Sequence, residues 1–327
     1  MGDSAYSGRR RPVAAVVPIR GDAHVHIYPV FDLGRLLRIG LEAARRYSDG
    51  PFLLMLAENR NHQYFRSLRA AAVAAAGRGS LTSTAASTGR QVRPAGIAAP
   101  VAVEIQATGE SSSLRIGSDA VTSSAGLRDS TATSAGPGIE AGSSGPSRLF
   151  LIAGRQFLSR EGLEVLGLAL PPGDSLNHIE DGTLPAEEIL RHLLKAGAAA
   201  GLPWGLGKWL GARGREVRRL ASLPALANSR LFFLGDIAAR SRPWPEPAPF
   251  RQRPVLAGTD ILPLPGAESA LGSYGFEVHG SFETSHPARS FLEALRSASK
   301  IRTVGRRQAL ARALRNQIEL RMRRKRP

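Results

Sequence analysis

The stretch IRGDAHVHIYP, residues 19–29, sets the reading of the whole chain. Its polar and apolar residues alternate with the period of a β-strand. Asp22, His24 and His26 would therefore project from one face while Ala23, Val25 and Ile27 take the other. The chain has only seven histidines, and two of them fall here, one residue apart and just beyond an aspartate. Imidazole is the commonest side-chain metal ligand and binds in its neutral form. A same-face histidine pair with a carboxylate thus reads as the start of a metal site whose remaining ligands come from distant strands.

Composition limits what such a site can be. There is no cysteine, which excludes disulfides, iron–sulfur ligation and thiolate catalysis and leaves nitrogen and oxygen as the ligand atoms. With 327 residues, 43% of them apolar, the chain can bury one large core or two ordinary ones. No apolar run approaches the roughly eighteen residues of a membrane span, and the N-terminal MGDSAYSGRRRPVAAVVPI lacks the apolar core and cleavage pattern of a secretory leader. A cytoplasmic protein without a membrane span is expected. The formal charge of +17 raises nucleic acid as a partner, but the stretch from Lys300 to Pro327 holds eleven Lys and Arg against Glu319 alone. About ten of the charges therefore belong to the tail, which reads first as a solvated helix end and only second as a grip on nucleic acid or an anionic surface.

Outward from the histidine strand, FDLGRLLRIGLEAARRYSDG (31–50) has the spacing of an amphipathic helix, PFLLMLAE (51–58) that of a buried strand ending on Glu58, and residues 61–76 that of a second helix. From 77 to 147 the sequence is dominated by Ser, Thr, Ala and Gly, the composition of an insertion, with GIAAPVAVEIQATG (96–109) as its one strand. Strands are expected again at 149–153 and 163–170, then a helix over LPAEEILRHLLKAGAAAG ending at Gly201, a short strand into LPWGLGKW, a helix over 215–223, strands RLFFLGD and PVLAGTD, and a helix over 288–297. Seven or eight such alternations, with no glycine-rich fingerprint after the first strand, predict an α/β fold of the TIM-like, distorted barrel type. The barrel would run over 14–298, interrupted by the 77–147 insertion, after a flexible N-terminus (1–13) and before a basic tail (299–327).

In a barrel the chemistry sits where strands end. The strand ends here carry His24, His26, Glu58, Gln156, Lys208, Asp236 and Asp260. Glu58 and Asp236 read equally well as acids in the first turn of a following helix, and Asp236 with Arg240 as a plain ion pair. PWGLGKWLGARGR places Lys208, Arg213 and Arg215 beside glycines, either as an anion cradle or as a tight turn. In LGSYGFEVHG, Ser273 and Tyr274 offer hydrogen-bonding groups on a substrate loop, or the stretch is a hairpin.

The Asp-x-His-x-His strand, FLIAGRQFLSREGLEVLGLAL (150–170), the helix leading into AGLPWG (200–205) and GTDILP (258–263) together resemble, in order and spacing, the polymerase and histidinol phosphatase (PHP) superfamily of metal-dependent phosphoesterases. The resemblance covers most of residues 19–262 outside the insertion. It implies His24, His26 and Asp260 as ligands to a divalent zinc, manganese or iron ion, with Asp22 as their orienter or a fourth ligand. Where the family carries further ligands, this chain has Gln156, Trp204 and Leu262. LAGTDILPLPG (256–266) is also similar to the closing strand of the amidohydrolase superfamily, whose aspartate touches the metal and takes a proton from the attacking water.

The function expected from these readings is a metal-dependent hydrolase of a phosphoester. Asp260 and Asp22 would act in catalysis, and Lys208, Arg213, Arg240, Glu58 and Asp236 would form the rim that meets a small, phosphorylated substrate. The alternative is a degenerate barrel that binds a ligand or partner without turnover.

Overall fold

A computed structural model describes residues 15–47, 49–59, 64–65, 67, 102–108, 113–118, 121–125, 148–171, 176–205 and 207–324. The histidine stretch forms the end of strand β1 (Val16–Val25), followed by helix α1 (Leu33–Arg45) and strand β2 (Phe52–Leu56). Asp32 caps α1 by accepting the Arg35 N–H, and Leu36, Leu37 and Leu41 are buried against Phe52, Leu54 and Leu149. Full burial of each such side chain is worth roughly 1.5–3 kcal/mol.

Strands β3 (Ala102–Thr108), β4 (Ser113–Ser118) and β5 (Val121–Ala125) come next, then β6 (Arg148–Ile152), β7 (Gly154–Leu158) and β8 (Glu164–Leu168). Helix α2 (Ala186–Lys195) leads into β9 (Ala199–Pro203), and helix α3 (Gly211–Ser222) into β10 (Phe232–Ile237) and β11 (Val255–Gly258). Strand β12 (Tyr274–Ser281), helix α4 (Pro287–Ser297), strand β13 (Arg302–Gly305) and helix α5 (Leu310–Arg324) complete the order.

These strands do not make the expected TIM-like barrel. They form two mixed sheets, one of eight strands in the order β13-β12-β1-β2-β6-β3-β4-β5 and one of five in the order β11-β10-β9-β8-β7, so the fold is α+β. A TIM barrel needs an unbroken parallel ladder. Here β12 runs antiparallel to β1 and to β13, while β8 runs antiparallel to β7 and to β9. The parallel pairs β1–β2, β2–β6, β9–β10 and β10–β11 supply the alternation that the sequence suggested.

The two sheets share a core in which Ile19, Leu53 and Phe150 pack with Leu166, Phe233 and Leu256, and they also meet at two seams through short backbone contacts. At one, the Asp260 N–H donates to the His24 carbonyl at 2.9 Å; at the other, the Gln156 N–H donates to the Glu58 carbonyl at 2.8 Å. No continuous ladder closes either seam among the described residues. The chain crosses between sheets at Ala153, from β6 directly into β7, and Gly154 is needed there because a Cβ would lie 2.1 Å from the Leu56 carbonyl oxygen.

Three further readings change. Gly201 does not end a helix but lies inside β9, facing the Phe233 ring; α2 stops at Lys195, with Gly197 in the left-handed region at φ 80°. The tail is not wholly a solvated helix, because β13 pairs with β12. Within 77–147, β3 occupies the anticipated strand and pairs with β6, and β4 and β5 extend the same sheet. The remainder of that segment, the N-terminal 1–13 and most of the helix expected over 61–76 lie outside the described residues.

Candidate metal centre

The centre forms where β1 and β11 pass side by side. Their approach is set by Gly258, since a Cβ there would meet the His24 backbone nitrogen at 2.4 Å and the His24 Cβ at 2.8 Å. The register of β1 on β2 breaks between Asp22 and Val25, so His24 and His26 leave the regular ladder at its end. Two residues beyond Gly258, Asp260 takes the left-handed region at φ 47°, a conformation that aspartate tolerates better than most residues. That turn brings its carboxylate back toward the histidines.

Four donor atoms converge. His24 Nε2 and His26 Nε2 are 3.0 Å apart, Gln156 Oε1 is 3.2 Å from His24 Nε2, and Asp260 Oδ1 is 3.6 Å from each imidazole nitrogen. Ligands about 2.1 Å from an ion in tetrahedral array are separated by roughly 3.4 Å, so these spacings are compatible with one shared ion as well as with hydrogen bonds between the side chains. Among the described residues, His24, His26 and Asp260 are the group of potential ligands close enough to share one ion. Two imidazole nitrogens 3.0 Å apart cannot both carry a proton; they share one, or a cation takes its place.

The electrostatics fit that use. Burial, assisted by His24, pushes the His26 imidazole down to about 3, leaving it neutral and free to donate its lone pair. The Ala57 backbone holds the ring in place by a hydrogen bond. Burial alone would raise Asp260, but His24, His26 and Lys208 outweigh it and hold the carboxyl below its ordinary value. The His24 Nδ1 is buried without a hydrogen-bond partner, so this ligand lacks the outer carbonyl or carboxylate that usually orients a metal-bound histidine.

Asp22 does not join the cluster. Its carboxylate accepts the Thr259 N–H at 2.8 Å, the Thr259 hydroxyl, the Gly272 N–H at 3.1 Å and the His24 N–H at 3.2 Å. It is fully buried, and burial lifts it to about 6 against the pull of those hydrogen bonds. Asp22 is therefore a brace between β1 and the 259–272 segment. Thr259, Gly272 and Gly258, which make that brace possible, were not singled out from the sequence. The trace they leave there is the Gly-Thr-Asp after an apolar strand.

The proposed rim is dispersed. Lys208 is near enough to act on His26 and Asp260, but its ammonium is paired with Glu164. Arg213 is exposed on α3. Glu58 accepts the Phe65 N–H at 2.7 Å, and burial raises it to about 7. Asp236 and Arg240 form a buried two-pronged ion pair at 2.6 Å, and Asp236 also accepts the Tyr274 hydroxyl at 2.6 Å and Arg307 at 2.9 Å. All polar capacity of that carboxylate is spent inside the fold. Tyr274 accordingly lies on β12, not on a substrate loop. Trp204 stands in the core edge-on to Trp244, and Leu262 lines a water-sized cavity of about 20 Å³ beside Asp260.

Neither a protein-family model nor a curated protein sequence matches the chain. The solved structure of PsfC from Pseudomonas syringae is similar over 93% of this chain and 98% of its own, with a TM-score of 0.46 and 10% identity.

Proposed function

We propose that the chain is a metal-dependent hydrolase acting on a phosphoester. The observation that supports it most directly is the convergence of His24 Nε2, His26 Nε2, Gln156 Oε1 and Asp260 Oδ1 at ligand-to-ligand spacings. A divalent zinc, manganese or iron ion bound there would supply an activated water and a Lewis acid for the substrate oxygen. His24 and His26 would hold the ion through their Nε2 atoms, His26 as a neutral donor. Asp260, kept ionised by its neighbours, is the group able to take a proton from water. Lys208, which acts on Asp260 although it is paired with Glu164, is the cation beside the cluster that an anionic substrate such as a phosphoester would meet.

A second reading, a ligand-binding protein without turnover, is favoured by Gln156. A neutral amide at that position leaves Asp260 as the only anion among four donors, a weak charge complement for a divalent ion.

Elemental analysis of the purified protein before and after chelation tests the first reading. Near-stoichiometric metal, restored on adding back zinc, manganese or iron and followed by turnover in a phosphoester screen, is the expected result. Protein that is metal-free and takes up none of the three ions would overturn it. Metal uptake without turnover would select the second reading.

A further inference from the structure

Helix α5 leaves an apolar stripe exposed, without a packing partner among the described residues. Its inner face is accounted for: Ala313 is buried, and Ala313, Asn316 and Gln317 line the water-sized cavity beside Asp260. The other face carries Leu310, Leu314, Ile318 and Met322, which are 42%, 46%, 59% and 56% exposed. They are spaced four residues apart, so each step advances only roughly 40° around the helix and the four make one continuous ribbon. A helix held in place only by packing would turn such residues inward. This one turns them to solvent.

The chemistry along the ribbon selects what covers it. Arg312, Arg315, Arg321 and Arg323 are all exposed on the same helix, and its single acid, Glu319, is already paired with Arg323 at 3.0 Å. The partner is therefore anionic. A second copy of this helix is disfavoured, because apposing two such ribbons would bring arginine against arginine. At 100° per residue Arg321 falls within the ribbon and Arg315 at its edge, while Arg312 and Arg323 lie toward the opposite face; the first two can lift their guanidinium groups to the phosphates of a lipid surface while the ribbon enters the acyl boundary.

We propose that the outer face of α5 docks on an anionic membrane surface, with Leu310, Leu314, Ile318 and Met322 inserted and Arg315 and Arg321 on the headgroups. The helix lies in the interface plane, and no helix among the described residues is long and apolar enough to cross a membrane. The inference is independent of the hydrolase reading, since none of its residues is a metal ligand.

Co-sedimentation of the full chain with vesicles tests it. Vesicles of equimolar phosphatidylcholine and phosphatidylglycerol should retain the protein, vesicles of phosphatidylcholine alone should not, and added salt should weaken retention. The double substitution Ile318→Glu with Met322→Glu should lower retention at least about tenfold, because it removes two inserted side chains and adds charge. Both positions are exposed, so the variant should keep its circular dichroism and its metal content. Failure of the unaltered protein to bind the anionic vesicles at low salt would overturn the proposal. So would retention unaffected by the double substitution, which would assign binding to the general positive charge of the chain. A dimer in solution that the double substitution converts to a monomer would overturn it in favour of a second copy.

Discussion

Asp22 accepts both the backbone N–H and the side-chain hydroxyl of Thr259, fixing β1 to the segment that carries Asp260. Replacing Thr259 by valine keeps the shape and the backbone bond but turns a methyl group toward a buried carboxylate. A hydrogen bond to a charged group is worth about 1.5–3 kcal/mol, and its loss should appear as a lower denaturant midpoint with an unchanged slope. Metal affinity should fall too, because Asp260 follows Thr259 directly. Unaltered stability in Thr259→Val would show that the hydroxyl does not brace this seam.

Gly258 has no side chain because none fits between β11 and the His24 backbone. In Gly258→Ala the new Cβ meets main-chain atoms, which cannot rotate away, so β11 must move off β1. Overpacking of this kind costs typically about 1–3 kcal/mol. The distinctive expectation is loss of metal from a variant in which every ligand is intact. A thermal melt and a metal assay on the same sample check it, and full metal occupancy would refute the role given to this contact.

How much of this was legible in the sequence follows from how local each feature is. The candidate ligands His24 and His26 announce themselves by alternation within one strand, and Asp260 by its place at the end of another. The role of Asp22 was hidden because its partners Thr259 and Gly272 are 237 and 250 residues away. Period and order indicate that strands exist without indicating their neighbours, which is why antiparallel β8 reads from the sequence as part of a parallel barrel, and why the stretch that forms β12 reads as a substrate loop or a hairpin. Strands β4 and β5 were missed because SLRIGS and VTSSA are too polar to stand out from the Ser- and Gly-rich segment around them. The Asp236–Arg240 pair was correctly seen as adjacent, but only Tyr274 and Arg307, from distant strands and loops, show it to be structural.

Glu58 makes stability depend on pH. Burial raises its carboxyl from 4.5 to about 7, so the folded chain binds a proton that the unfolded chain releases. The group is neutral in the folded state at low pH and costs nothing there. As pH rises from 4.5 toward 7 the unfolded state gains the advantage of ionising first, and stability falls; above 7 the penalty is constant. Fully expressed, the shift is worth about 3 kcal/mol, reduced to about 2 kcal/mol by partial exposure. Glu58→Gln, which can still accept the Phe65 N–H, should therefore be more stable than the parent at pH 8 and nearly equal to it at pH 4. A stability difference that does not vary between those values would mean that Glu58 ionises normally in the fold.

Asp260 carries two burdens, the ligand carboxylate and a left-handed backbone, and substitutions separate them. Asp260→Ala removes the carboxylate and keeps a Cβ at φ 47°, without the short polar side chain that eases aspartate into this region. Asp260→Gly removes the carboxylate and relieves the backbone. Both should lose metal. The glycine variant should be more stable than the alanine variant by roughly 1 kcal/mol, because glycine reaches positive φ at no steric cost. Calorimetry of the two metal-free variants makes the comparison without interference from the ion. If alanine proves as stable as glycine, the turn at Asp260 is not strained and the aspartate is there for its carboxylate alone. If alanine is the less stable, the fold holds Asp260 in a costly conformation that keeps its carboxylate 3.6 Å from two imidazole nitrogens, as a residue placed for function rather than for stability would be.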